Sequence, residues 1–266
     1  MRLPRVEECK DDPFLFRLRD NDERQFLSPI KGANQRFQAR RRILSAIDLL
    51  EKHLPPPPLK IADIACGTAD FGLTMAERGY EVDLVDREPK FFDYIQMKHT
   101  HGMIRPVKSD LSSLPASQKY SAIFFGEAIE HMAEPVQALS KLREHLVTGG
   151  LLCLTTPNGD FVDCYEENWT TVKNQKERNL KMANTLGNHV CEFTRKELKD
   201  LVKESGFSVL HHEPIVSGWI AKRHLLRHAL PESWVWKWDR FSSRRIANPA
   251  GKVWGKLQIL LAQRVD

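Results

Sequence analysis

Apolar residues recur along this chain with two different periods, and the change between them marks its organisation. From Phe37 to His53 they follow helical spacing, with Ile43, Leu44, Ile47, Leu50 and Leu54 on one side. Four prolines, Pro55 to Pro58, then end any helix and act as a stiff spacer. Beyond Leu59, short apolar runs alternate with helical ones. Leu59–Cys66 predicts a buried strand, Phe71–Arg78 a helix stopped by Gly79, and Glu81–Asp86 a strand. A helix over Pro89–His99 and strands over Met103–Ser109 and Tyr120–Gly126 follow. The next helix starts at Pro135, with Val136, Leu139, Leu142 and Leu146 on one face and Gly149-Gly150 as its stop. Leu151–Thr155 predicts a further strand. Thr194 with Glu197 three residues on makes a capping box for a helix that turns Leu198, Leu201 and Val202 inward and ends at Gly206. Leu257–Ala262 predicts the last strand. Strands separated by helix-length segments imply an α/β fold, a mostly parallel sheet with helices on both faces. Residues 1–54 read as an N-terminal helical cap, and 55–266 as the main domain.

Composition narrows the class. The apolar fraction of 41% and charged fraction of 28% are ordinary for a globular protein. No apolar run approaches the ~20 residues that span a bilayer, and the charged start of the chain lacks the apolar core of a signal peptide. Five cysteines without a C-x-x-C pair argue against a disulfide framework or zinc site and suit a reducing cytoplasm. A net charge of +5 is too small by itself to imply nucleic acid.

Candidate chemistry lies at the ends of the predicted strands, where a parallel sheet binds its ligands. The first strand runs into Asp63-Ile64-Ala65-Cys66-Gly67-Thr68-Ala69-Asp70, a turn of small residues that lets backbone approach a ligand closely. The second ends in Asp86, nineteen residues beyond Gly67, where a carboxylate can accept both hydroxyls of a ribose. The third ends in Ser109-Asp110-Leu111, a polar acceptor and an apolar contact suited to an adenine. The G-x-G-x-x-G of a dehydrogenase is absent.

From Ile61 to Asp86 the chain resembles the first two motifs of the class I methyltransferases that use S-adenosylmethionine (SAM), and the resemblance runs over about residues 59–210. It implies a Rossmann-like sheet with SAM as cofactor. Asp63 and the turn Ala65–Gly67 would hold the methionine end, Asp86 the ribose, and Gly126 would line the methionine. Arg87 would flank the adenine, with Asp110 and Leu111 in contact with it. The family's turn usually alternates three glycines, whereas this one carries Ala65, Gly67 and Ala69.

After the fourth strand comes Glu127-Ala128-Ile129-Glu130-His131. On a helix Glu127, Glu130 and His131 stand at i, i+3 and i+4 and share one face. Two carboxylates and an imidazole there can hold Mg²⁺ or Mn²⁺, the histidine favouring Mn²⁺, Fe²⁺ or Co²⁺. His189 stands before the capped helix in Asn188-His189-Val190-Cys191-Glu192-Phe193-Thr194. This E-x-x-E-H with its later histidine resembles the ubiquinone-pathway O-methyltransferases and the small-RNA 3′-end 2′-O-methyltransferases. The resemblance implies Glu127, Glu130, His131 and His189 as metal ligands, with the acceptor's two neighbouring oxygens on the ion. The residues themselves leave two other roles open: His131 and His189 as catalytic bases without metal, or a packing role. Thr155-Thr156-Pro157-Asn158 favours a turn, with Asn158 within reach of a substrate.

Two segments stand outside the resemblance. Residues 159–193 form a long polar insertion of the kind that builds lids and binding loops. Residues 219–254, inserted before the last strand, hold five of six tryptophans (Trp219, Trp234, Trp236, Trp238 and Trp254). Within 219–246, Lys222, Arg223, Arg227, Lys237, Arg240, Arg244 and Arg245 face only Glu232 and Asp239. This segment reads as a folded cap, as a dock for a membrane surface or lipid-linked substrate, or as an RNA contact. The activity expected is O-methylation of a small molecule bearing adjacent oxygens, such as a catechol, quinone precursor or sugar. The alternatives are an RNA ribose 2′-O-methyltransferase, a metal-free N- or C-methyltransferase and a SAM-binding module without turnover. The expected location is the cytoplasm, including its membrane surface.

Overall fold

The strand-forming runs meet in one seven-stranded sheet of order β3-β2-β1-β4-β5-β7-β6. The computed structural model describes residues 1–23, 33–172, 175–184, 189–221, 230–246 and 248–266. In chain order the elements are α1 (Val6–Cys9), α2 (Pro13–Asp22), α3 (Ala33–Glu51), β1 (Lys60–Ile64), α4 (Asp70–Glu77), β2 (Glu81–Asp86), α5 (Pro89–Lys98) and β3 (Met103–Lys108). They continue with β4 (Tyr120–Gly126), α6 (Pro135–Glu144), β5 (Leu146–Pro157), α7 (Gln175–Asn184), α8 (Arg195–Glu204), β6 (Phe207–Ser217), a single turn α9 (Gly218–Ala221), α10 (Glu232–Ser243) and β7 (Gly255–Arg264). Strands β3, β2, β1, β4 and β5 run parallel, and β7 is antiparallel to both its neighbours β5 and β6. This is the Rossmann-like class I methyltransferase sheet, and the order reverses between β1 and β4. That reversal opens a crevice at the strands' carboxyl ends.

Both faces are covered. One apolar cluster joins Ile47 and Leu50 of α3 and Phe71 and Leu73 of α4 to Ile61 and Leu84 of the sheet. The other joins Leu139 and Leu142 of α6 and Leu198 and Val202 of α8 to Ile123 and Leu152. The N-terminal helix α3 thus shares the sheet's own core. Among the described residues no helix is long and apolar enough to cross a membrane.

Two local expectations give way. The helix from Pro135 stops at Glu144, and Leu146 belongs to β5, paired with Tyr120. Gly149 takes φ +73° and the β4–β5 register shifts between Tyr120 and Ala122, so the glycines serve an irregular strand start and not a helix stop. Strand β6 interrupts its apolar residues with His211, His212, Glu213 and Pro214, which hid it from periodicity. As the edge strand it tolerates a proline. Its polar residues find partners: His212 Nε2 lies 2.9 Å from Gln258 Oε1, and Glu213 pairs with Arg240 and Arg244.

A buried ammonium ties the N-terminal segment to the crevice. Lys98 at the end of α5 is 3% exposed, and its Nζ lies 2.8 Å from Asp22 Oδ2 of α2 and 2.5 Å from Asp70 Oδ1 of α4. It also donates to Thr68 O at 3.1 Å, in the turn after β1. Tyr94 donates to Asp22 at 2.8 Å.

Lys98→Met leaves two buried carboxylates without a counter-charge, and the expected loss is about 3–5 kcal/mol in urea unfolding. Adding Asp22→Asn should restore part of it, and an undiminished midpoint for the single variant would show the cluster to be inert. A second expectation concerns His212, whose burial pushes its pKa down to about 4. An unfolded histidine binds its proton near pH 6.5, so the neutral form favours the fold. Stability present above about pH 6.5 is lost as pH falls toward about 4, and His212→Gln should flatten that slope in pH-dependent melts.

Candidate active site

The turn after β1 is held in a strained shape. Ala65, Gly67 and Ala69 have φ of 57°, 50° and 55°, the left-handed region that costs a residue with a Cβ about 1 kcal/mol. Asp86 at the end of β2 stabilises it. Its Oδ2 accepts from Gly67 N at 3.0 Å and its Oδ1 from Glu88 N at 3.0 Å. A Cβ built on Gly67 would meet nothing within 4 Å, so this backbone faces an open crevice. Asp63 is buried, and its Oδ2 accepts from Gly72 N at 2.9 Å, fixing the start of α4 beneath the turn. Burial pushes the Asp63 carboxyl upward, against the Gly72 hydrogen bond and the charge of Arg42. Arg87 is exposed, Asp110 caps a 3₁₀ turn by accepting from Ser113 N at 2.8 Å, and Leu111 packs partly against the core. Gly126 admits no side chain, since a Cβ would lie 2.4 Å from the Phe124 ring.

At the end of β4 the chain does not enter the helix that the E-x-x-E-H spacing implied. Glu127 is left-handed at φ 53°, while its N–H still donates to Thr155 O of β5 at 2.8 Å. Staying in the ladder, it leaves room before Pro135 only for a 3₁₀ turn, Ile129–His131. The result separates the acids. Ligand atoms of Glu130, His131 and His189 lie within 4.8 Å of one another, and Glu127 stands outside that group on the wall of a cavity. The His189 segment is drawn in by Val190 N, which donates to Glu130 O at 2.7 Å. The His131 and His189 rings are 5.2 Å apart between centroids.

The electrostatics here are unbalanced. Glu130 is fully buried, and its Oε2 accepts from Thr156 Oγ1 at 2.9 Å. Its Oε1 and Glu127 Oε1 are buried without a hydrogen-bond partner. Burial and then the Glu127 charge push the Glu130 carboxyl up to about 8. His189 is raised above its usual value by Glu192, whose Oε1 lies 3.6 Å from Nδ1, and by Glu130 and Glu127. Two orphaned carboxylate oxygens beside two imidazoles fit a divalent cation of the borderline kind.

A cavity of about 480 Å³ opens beside this cluster. Glu127, His189 and Glu192 form its reactive wall, with Gln38 and Arg42 of α3, and Phe161 of the long insertion, around them. Glu192, Thr156 and Arg42 carry weight that sequence reasoning did not assign to them. Glu192 stood three residues past His189 as a visible signal, whereas nothing in the spacing linked Arg42 to the crevice. Asn158 is buried, donating to Gly255 O at 2.8 Å and accepting from Asp160 N at 3.1 Å, so it shapes the chain after β5. The capping box at Thr194 and Glu197 is present. Lys222, Arg223 and Arg227 lie outside the described residues.

Comparison with known proteins bears on the fold and the family. The ubiquinone biosynthesis O-methyltransferase of Candida albicans mitochondria is 25% identical over 156 residues, 55% of this chain and 46% of that protein. The enzyme of the same name from Cereibacter sphaeroides is 28% identical over 112 residues, 41% of this chain and 45% of its own length. The chain therefore spans about half the length of these curated relatives. Magnesium protoporphyrin IX methyltransferase of Synechocystis, solved with bound S-adenosylhomocysteine, shares the fold with a TM-score of 0.60 at 16% identity, over 96% of this chain and 97% of that one. Residues 35–212 match the family described as the methyltransferase domain, and with the crevice, the strained turn and the sheet order in place, the chain belongs to that family.

Proposed function

We propose that this protein transfers a methyl group from SAM to one of two adjacent oxygens on a small molecule, with a divalent cation held by Glu130, His131 and His189 and with Glu127 beside them. The observation that carries the reading is the pair of orphaned buried carboxylate oxygens next to two histidines, with Glu127 and His189 on the wall of a cavity of small-molecule size. The two ubiquinone-pathway relatives, O-methyltransferases by name, support the choice of oxygen.

SAM supplies an electrophilic methyl sulfonium. The chain's part is to bind and orient it. The left-handed turn offers backbone at Gly67, and Asp86, each oxygen already holding one N–H, retains lone pairs for the two ribose hydroxyls. Arg87, Asp110 and Leu111 suit the adenine, while the small residues Ala65 and Gly67 suit the methionine end. Arg42, a cation on the cavity wall that acts on Asp63, suits the methionine carboxylate. Transfer forms a bond from the acceptor oxygen to the methyl carbon as the carbon–sulfur bond breaks, its electron pair staying on sulfur, and the acceptor's hydroxyl proton is given up to solvent at the open cavity.

A cation at the cluster, Mn²⁺ or Mg²⁺, supplies a lowered hydroxyl pKa and a fixed geometry for the two oxygens. Glu192 turns Nε2 of His189 away from itself and fixes the ring, and Thr156 orients Glu130. A second reading is favoured by the raised pKa of His189, which suits it to take the acceptor's proton with no cation present.

Calorimetry should show SAM and S-adenosylhomocysteine binding, and Asp86→Ala should weaken both by about tenfold or more, the loss of roughly 1.4 kcal/mol of hydrogen bonding to the ribose. No heat with wild type would retire the reading. The cation is tested separately, by the decrease of free Mn²⁺ seen in electron paramagnetic resonance on adding protein. Glu130→Gln and His189→Ala should abolish that decrease. Turnover indifferent to a chelator, with no Mn²⁺ uptake, would leave His189 as the base.

A further inference from the structure

Helix α10 has two faces of opposite character. On the inner one, Val235, Asp239 and Ser243 are buried, and Trp236 stacks on Phe37 of α3 with centroids 5.2 Å apart. Asp239 accepts from Arg41 Nε at 2.8 Å and from Ser217 N at 2.7 Å, which fixes the helix to both α3 and the sheet. This face is packed into the fold.

At about 100° per residue, Trp234, Trp238 and Phe241 fall on the opposite side as one stripe. They are 58%, 49% and 58% exposed, and Ile246 just past the helix is 71% exposed. Lys237 is exposed beside the stripe, and the Arg245 guanidinium lies 4.2 Å from the Phe241 ring centroid. Further round, Arg240 and Arg244 pair with Glu213. Between 233 and 246 the one acid is Asp239, and it is buried. The sequence adds Lys222, Arg223 and Arg227 shortly before the helix.

Large aromatics grouped in the open mark a contact surface. Indole rings favour the headgroup level of a bilayer, where flanking cations meet anionic lipid. Binding of single-stranded RNA would instead use open ring faces for stacking. Here Arg245 covers one face of Phe241, and Trp219 lies nearly parallel to Trp238 with centroids 6.5 Å apart. We propose that the outer face of α10 docks this protein on the surface of an anionic lipid bilayer. The proposal is independent of the methyl-transfer reading, because it concerns the face of the helix turned away from α3 and β6, and no described residue of α10 lines the cavity.

The test is cosedimentation of the full chain with vesicles of phosphatidylcholine, pure or with about one quarter phosphatidylserine, alongside tryptophan emission. Wild type should partition onto the anionic vesicles with a blue shift and bind the neutral ones more weakly. Trp234→Ala/Trp238→Ala/Phe241→Ala should lower partitioning about tenfold or more, because three large apolar groups are removed from the contact face. Lys237→Glu/Arg245→Glu should weaken binding to the anionic vesicles alone, and circular dichroism should show both variants folded. Lys196→Glu/Lys203→Glu on α8, a change of equal charge elsewhere, should leave partitioning unchanged. Equal loss in that control would reduce the effect to net charge and overturn the proposal. Absence of partitioning by wild type, or binding of a single-stranded RNA through the same residues without vesicle binding, would overturn it as well.

Discussion

A carboxylate taken out of water must find a positive partner or give up its charge, and this constraint shapes the molecule from its N-terminus to its active site. Asp22 and Asp70 share the ammonium of Lys98. Asp239 has the guanidinium of Arg41, and Asp83 in the sheet has Lys60 and Arg105. Each of these pairs joins elements distant in sequence: α2 to α4 through α5, α3 to α10, and β2 to its neighbours. Glu130 is the exception. It is buried as deeply as the others, receives one hydroxyl from Thr156, and faces a second acid in place of a cation. Unlike these acids it has no ion-paired cation among the described residues, and it stands past the carboxyl end of β4, behind Glu127 and His189 on the cavity wall. That contrast is the physical basis for assigning chemistry to it.

The two ends of the active site are held by different means. On the cofactor side, strain in the turn after β1 is sustained from below by Asp63 on α4, from the side by Asp86, and from behind by Lys98 on Thr68 O. Helices α1 and α2, packed on Tyr94 of α5, reach this turn through Asp22, which shares Lys98 with Thr68 O. On the acceptor side, α3, the insertion after β5 and the start of β7 enclose the cavity. Loops and added helices thus form most of the cavity wall, while the sheet edge presents Glu127 to it and the segment before α8 presents His189 and Glu192. The link between Arg41 and Asp239 makes α3 a common wall, lining the cavity on one side and anchoring α10 on the other.

Much of this was legible from the residues. The small-residue turn, the acid ending β2 and the cap box of α8 are local signals, and each appears where its spacing placed it. The pairing of Glu130 and His131 with a histidine almost sixty residues on was also visible as a motif. Its geometry was not, because helical spacing assumes a helix, whereas the β4–β5 ladder keeps the Glu127 N–H on Thr155 O. Strand β6 escaped notice because its polar residues make sense only beside Gln258 and the arginines of α10.

What the sequence determined by itself was the alternation of strands and helices, the cofactor-type turn and the set of candidate acids and histidines, since periodicity, capping and turn chemistry act over a few residues. What the tertiary structure decided was which of those groups meet: Glu130 with His131 and His189 but apart from Glu127, Glu192 against His189, Lys98 between two acids, and which side of α10 faces out. Those outcomes depend on strand order, on the reversal of β7 and on burial. They are set by contacts between residues far apart in the chain, which no local pattern encodes.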